Sequence, residues 1–184
     1  MKKKIGIIVG SNRRDAFSKK VANHLLTLPL DNLELQIVDI AGLQMFNQDF
    51  DDDGTTPKEW KVFRNEVRAL DGYVFVTPEY NRSYPPLIKN ALDIASRPYG
   101  QNQWSDKPGA ILSVSPGRLS GFGANHHLRQ VASFLNIYMM QQPEGYIGEI
   151  MNSLDKEGNI IDERLQKMLL NFMKSFEEWT SNFK

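Results

Sequence analysis

The sequence predicts an α/β fold: a doubly wound, five-stranded parallel sheet in the order 2-1-3-4-5, with helices on both faces. Three observations carry this. Short apolar runs of buried-strand length recur at residues 5–9, 73–76, 110–114 and 137–140, and such near-continuous runs suit parallel strands covered on both faces. The segment 33–38 alternates apolar and polar residues instead, as a half-exposed edge strand does. Helical patterns separate the runs, and right-handed crossovers turn that alternation into one sheet with the alternating second strand at its edge.

Each helix has its own signature. Phe17, Val21, Leu25 and Leu28 recur at helical spacing after Asp15, a candidate cap. Trp60, Phe63, Val67 and Leu70 form the next stripe, and Thr56-Pro57-Lys58-Glu59 before it reads as a capping box with proline at the first helical position. Pro85-Pro86 opens a third helix running to about Ser96, while Leu128, Val131, Ala132 and Leu135 mark a fourth. The strongest stripe is the last: Leu165, Met168, Leu169, Phe172, Met173, Phe176 and Trp179 share one face, which reads as core rather than as a membrane or cofactor surface.

The 184 residues, 41% of them hydrophobic, are enough for one compact domain spanning 1–184. Lys+Arg and Asp+Glu both number 22, so no global field draws the chain to nucleic acid or an anionic membrane, and anion recognition has to be local. There is no cysteine, which excludes disulfides and thiolate chemistry. The basic start Met1-Lys2-Lys3-Lys4 precedes an apolar stretch too short for a secretory signal, and no run approaches the ~20 residues of a spanning helix. The expectation is a soluble, cytoplasmic protein with no nucleic-acid partner and no membrane insertion.

In this strand order the switch point falls between the first and third strands, where open α/β sheets bind ligands at the carboxyl ends. Gly10-Ser11-Asn12-Arg13-Arg14 follows the first strand and leads into a helix. Its amides, hydroxyl and guanidinium groups can converge on one anion, to which the helix N-terminus adds ~0.3 to 1 kcal/mol. Each hydrogen bond to the charged group adds ~1.5 to 3 kcal/mol. The loop lacks the Gly-Lys-Ser/Thr of a nucleoside-triphosphate loop and the further glycines of a dinucleotide fingerprint, so a terminal phosphate monoester fits best. Pro78-Glu79-Tyr80-Asn81 follows the third strand and sets an aromatic ring at the same rim.

Two other patterns are weaker. Asp49, Asp51, Asp53 and Gly54 begin like a calcium loop, but Trp60 stands where the closing glutamate is required, so the acidic run reads as a solvated loop feeding the Thr56 cap. His126 and His127 are neighbours that diverge on a helix and make a poor metal pair.

With both loops read, the chain resembles the NADPH-dependent FMN reductase family, the flavodoxin-like group that includes quinone, chromate and azo-dye reductases. The resemblance covers nearly the whole chain. It rests on Gly10-Ser11-Asn12-Arg13 and on Pro78-Glu79-Tyr80-Asn81-Arg82-Ser83-Tyr84-Pro85-Pro86-Leu87-Ile88-Lys89-Asn90-Ala91-Leu92-Asp93. Two departures stand out: Ile88-Lys89 replaces the family's Leu-Lys, and Ala16 and Ser18 stand where the family often has Ser and Asn, which removes one hydroxyl contact at Ala16.

The resemblance implies an oxidoreductase that passes hydride from NADPH or NADH through bound FMN to a quinone or similar small acceptor, with ping-pong kinetics and no side-chain nucleophile. It implies Ser11, Arg13 and Ser18 as side-chain contacts to the FMN phosphate, with Asn12 and Phe17 contributing backbone. Pro78, Glu79, Tyr80 and Asn81 would border the isoalloxazine ring, and Ser115 and Gly117 of the loop after the fourth strand would line the flavin. Glu79 is also implied to shape the nicotinamide or acceptor pocket, while its own chemistry reads equally as a solvated carboxylate or a helix-end partner. A homodimer or homotetramer is implied too. The alternative is a flavodoxin-like FMN electron carrier without nicotinamide turnover, for which an acidic docking surface is expected and the neutral net charge argues otherwise.

Overall fold

The apolar runs are continuous because successive residues serve opposite faces of one sheet. In a computed structural model that describes residues 2–183, leaving Met1 of the basic start and Lys184 outside, Ile5, Ile7, Val9, Val74, Val76, Ala110 and Leu112 point into one core. Ile8, Tyr73, Phe75 and Ile111 point into the other. The elements follow as β1 (Lys3–Val9), α1 (Phe17–Leu25), β2 (Leu33–Val38), α2 (Asp49–Asp52), α3 (Lys58–Ala69), β3 (Gly72–Thr77) and α4 (Pro86–Ala95). They continue as β4 (Pro108–Val114), α5 (Phe122–Phe134), β5 (Tyr138–Met139), β6 (Gly145–Ile147) and α6 (Glu163–Ser181). All strand pairs are parallel, in the order β2-β1-β3-β4-β5, and β6 pairs with β4 as well.

Residues of α1 and α6 fill the first core and residues of α3, α4 and α5 the second. The α6 stripe is core as its spacing predicts, with Leu169, Phe172, Met173 and Phe176 buried and Trp179 at the margin, donating its indole N–H to the Tyr138 carbonyl. The edge strand β2 buries Leu33 and Val38 and leaves Ile37 40% exposed.

The expected fifth strand over 137–140 is corrected. Only Tyr138–Met139 pairs, against the first two residues of β4, and three residues beyond Pro143 then pair with Leu112, Ser113 and Val114. Proline cannot donate to a ladder, so the fifth position of the sheet is filled by two short pieces with Pro143 between them. No described helix is long and apolar enough to cross a membrane.

Both expected side-chain caps also fail. Ala16 is the N-cap of α1 and makes no cap hydrogen bond, with Asp15 exposed beside it. Pro57 is the N-cap of α3, which begins at Lys58, and Thr56 donates its hydroxyl to Asp51 Oδ1 at 2.8 Å. The acidic run is therefore not simply solvated. Its single turn α2 turns Asp51 inward, where both carboxylate oxygens accept from Arg64 at 2.8 and 2.6 Å, and the two side chains are only 5% and 10% exposed. The Arg64 Nε donates to the Ile94 carbonyl, and the guanidinium lies 5.5 Å from the Trp60 ring.

Candidate active site

Three loops leave the carboxyl ends of the adjacent strands β1, β3 and β4, and close contacts bind them into one rim. The first contact needs a residue without a side chain. A Cβ on Gly10 would lie 2.8 Å from Pro78 Cδ and 2.9 Å from Ile88 Cδ1, so only glycine lets the β1 loop sit against the β3 loop. The Gly10 N–H donates to the Val76 carbonyl at 2.9 Å and fixes the approach.

Beyond Gly10 the first loop opens toward α1. Ser11 is buried and its Oγ accepts the Arg13 N–H at 3.3 Å. Asn12 is exposed, and its carbonyl accepts from Lys19 Nζ at 3.2 Å. Arg13 reaches across the mouth of the helix, donating to the Asp15 carbonyl at 3.0 Å, with its guanidinium 5.9 Å from the Phe17 ring.

Ser18 is the informative residue. It is fully buried, and its hydroxyl has no hydrogen-bond partner among the described residues. A buried hydroxyl left unpaired costs about 1–3 kcal/mol. At the first turn of α1 it lies beside the N–H groups of Phe17 and Ser18, which have no intrahelical acceptor. Unsatisfied donors at a helix start, beneath a loop carrying two arginines, fit a phosphate group.

The second loop is a tight turn. Tyr80 and Ser83 exchange backbone hydrogen bonds at 2.8 and 2.9 Å around Asn81 and Arg82, both with positive φ, 50° and 69°. This geometry pushes the Tyr80 side chain out to 48% exposure. Pro78 is half-buried, and its carbonyl accepts the Thr77 hydroxyl at 2.8 Å.

Glu79 turns toward α5. Its Oε2 accepts the Ala124 N–H at 3.1 Å, and its Oε1 lies 3.4 Å from Arg82, with the side chain 13% exposed. Of the readings its sequence left open, the contacts are those of a helix-end partner, where the α5 N-terminus favours a negative charge. The approach is close enough that a Cβ on Gly123 would stand 2.6 Å from the Arg82 carbonyl oxygen. Glu79→Ala leaves the Ala124 N–H unpaired and is expected to lower stability by about 1–3 kcal/mol, whereas Glu79→Gln keeps an acceptor and most of the stability. Urea unfolding of the two variants checks this.

The third loop is organised from below. Ser115 Oγ accepts the Gly117 N–H at 3.2 Å and donates to the Gly117 carbonyl at 2.9 Å, which folds the loop on itself. Beneath it, Ser113 Oγ donates to the Ser120 carbonyl at 2.8 Å, and the buried Asn125 donates to the Gly145 carbonyl at 3.3 Å. Tyr146 of β6 stands at the same end beside His126 and donates to Glu144; burial and that carboxylate push its phenol up to about 12.

Thus Ser11, Asn12, Arg13, Phe17 and Ser18 gather at the start of α1, Pro78 to Asn81 at the end of β3, and Ser115 and Gly117 at the end of β4. Three supporting residues carry no role in the sequence pattern, although Asn90 lies within the 78–93 motif. Asn125 had a legible signal, since it shares the core-facing spacing of Leu128 and Ala132 and a buried amide there demands partners. Asn90 accepts the Phe46 N–H at 2.7 Å and donates to the Leu43 and Gln44 carbonyls, holding the loop after β2. Ser113 gave no signal inside its apolar run.

Comparison with known proteins shows the family. The chain is 44% identical over 175 residues to a quinone reductase of Pseudomonas putida, covering 95% of this chain and 93% of that protein. It is 44% identical to a 2-hydroxy-1,4-benzoquinone reductase of a Burkholderia species, covering 96% and 95%. Among solved structures, the flavoenzyme NAD(P)H:(acceptor) oxidoreductase FerB of Paracoccus denitrificans superposes with a TM-score of 0.90 at 34% identity, covering 98% of both chains. The model of NADPH-dependent FMN reductases matches residues 3–152, the span that holds all three loops, and the chain belongs to that family.

Proposed function

We infer that this protein is a cytoplasmic, FMN-dependent NAD(P)H oxidoreductase that reduces quinones or similar small acceptors. The observation that carries the reading is the buried, unpartnered Ser18 hydroxyl at the start of α1, a place built for the phosphate end of a flavin. FMN, when bound, supplies the hydride acceptor and donor at its N5. The chain's own task is binding and orientation. Ser11, Arg13 and Ser18 hold the phosphate with the backbone of Asn12 and Phe17, and the 78–81 loop offers backbone groups to the ring's polar edge. Ser115 and Gly117 close the other side. The exposed Tyr80 borders the open face through which donor and acceptor enter in turn.

The relatives named quinone reductase and 2-hydroxy-1,4-benzoquinone reductase support a quinone as the acceptor class. Anaerobic stopped-flow absorbance of the FMN-reconstituted protein tests the reading. Mixing with NADPH or NADH is expected to bleach the flavin, and a quinone then restores it. Bound flavin that neither nicotinamide reduces would sink the reductase in favour of an electron carrier.

The protein is further proposed to assemble as a homodimer or homotetramer through the groove between α4 and α5. Tyr84, Val131 and Leu135 line that groove, and Phe134 stands 84% exposed at its side. Sedimentation should give at least twice the chain mass, and Phe134→Asp should reduce it; a monomeric parent would exclude this assembly.

A further inference from the structure

We propose that the flavin site continues past the phosphate loop into a crevice between β1 and β2, and that this crevice seats the adenylate half of FAD, so that the chain takes FAD as well as FMN. The proposal rests on the reading of the β1 loop as the flavin-phosphate site.

Strand order sets the geometry. The β3 loop lies on one side of β1 and β2 on the other, so a ligand anchored on the β1 loop has room to extend either way along the carboxyl edge. On the β2 side there is a pocket of about 200 Å³, with Ser11 and Asn12 on its wall. The phosphate loop is therefore one wall of this second pocket, and a group joined to the phosphate would have it as its neighbour.

The lining suits an adenosine phosphate. Lys19, whose ammonium is 3.2 Å from the Asn12 carbonyl, stands at the pocket and can meet a second phosphate. Ile37, Ile40 and Leu87 supply apolar wall for a flat purine. Asp39 follows directly after β2. Its Oδ1 accepts the Ala41 N–H at 2.9 Å, and Oδ2 has no partner among the described residues. A carboxylate at that strand end is the group that accepts from ribose hydroxyls in dinucleotide-binding sheets. Asp39 also borders a further depression of about 430 Å³ that runs toward α3, which leaves space for the purine.

The test is flavin fluorescence quenching of the apoprotein titrated with FMN and with FAD, free of any turnover. FAD is expected to bind within about tenfold of FMN, a difference near 1.4 kcal/mol. Asn23→Trp, at an exposed α1 position on the pocket, fills it and should weaken FAD at least about tenfold while leaving FMN within about twofold. Asp39→Ala should weaken FAD alone, by about five- to tenfold. FAD binding at least about a hundredfold weaker than FMN would overturn the proposal, as would FAD binding indifferent to both variants, since the adenylate would then hang in solvent. Failure of the parent protein to bind FMN would instead remove the phosphate-site reading on which the proposal stands.

Discussion

Ser18→Asp is expected to abolish FMN retention, weakening it by more than about a hundredfold, or ~2.7 kcal/mol. The effect has two separable parts. Removing the hydroxyl takes away one hydrogen bond to a charged group, ~1.5 to 3 kcal/mol, and Ser18→Ala alone should show that part as roughly a ten- to hundredfold loss. Aspartate then adds a negative charge where the phosphate would bring its own, at a residue buried from water and little screened. Fluorescence titration of the apoproteins measures both steps. The alanine variant serves as the control for folding, because Ser18 Oγ has no partner within the protein to lose. Its urea midpoint should equal or exceed that of the parent. If neither substitution changes FMN affinity, the phosphate does not bind at α1, and the assignment of Ser11, Arg13 and Ser18 falls together.

What the sequence disclosed and what it hid divide by distance along the chain. The strands, the edge position of β2 and the rim where the loops meet were legible because each is written in consecutive residues: continuous apolar runs, one alternating run, and small or polar residues directly after them. The two-piece fifth strand was not, since Gly145-Tyr146-Ile147 is too short to show a period. The failed caps show what local pattern cannot weigh, for Thr56 turns its hydroxyl to Asp51 and the Phe50 carbonyl instead of accepting from the N–H groups at the start of its own helix, and Pro57 takes the cap position. Loop residues could be put forward as flavin contacts by resemblance, but the residues that support them could not. Glu79 meets Ala124 from 45 positions away and Asn90 meets Phe46 from 44, so each reads locally as an ordinary polar residue. The sequence placed Glu79 at the right rim and left its partner open, and only the packing of α5 against the β3 loop supplied one.

The same distance effect conceals a polar residue whose removal should cost the fold heavily. Asp51→Ala is expected to destabilise the protein by about 3–5 kcal/mol, because it strands the Arg64 guanidinium in a site where it is 10% exposed. The size comes from the uncompensated buried charge rather than from the worth of the pair itself, so Asp51→Ala with Arg64→Met should recover much of the loss, and the double variant separates the two causes. Asp51→Asn should fall between, retaining an acceptor without its charge.

The pair also makes a pH prediction. Hydrogen bonds from Arg64 hold the Asp51 carboxyl below the ordinary carboxylate range, outweighing the opposing effect of burial. A group whose pKa is lower folded than unfolded stabilises the protein above its unfolded value of ~4, and that contribution is lost as pH falls through the lowered folded value. Urea midpoints followed downward from neutral pH should therefore fall more steeply in the parent than in Asp51→Asn, which has no proton to gain there. Identical acid profiles would show that the carboxyl is not held down by Arg64. A parent-like midpoint for Asp51→Ala would show that Arg64 finds water or another acceptor when its partner is gone. The consequence for the site runs through the same packing. The Asp51–Arg64 pair pins the turn that carries Phe50 onto Trp60, next to the Phe46 that Asn90 holds, so loosening it is expected to weaken the support of the loop that follows Asp39 at the end of β2.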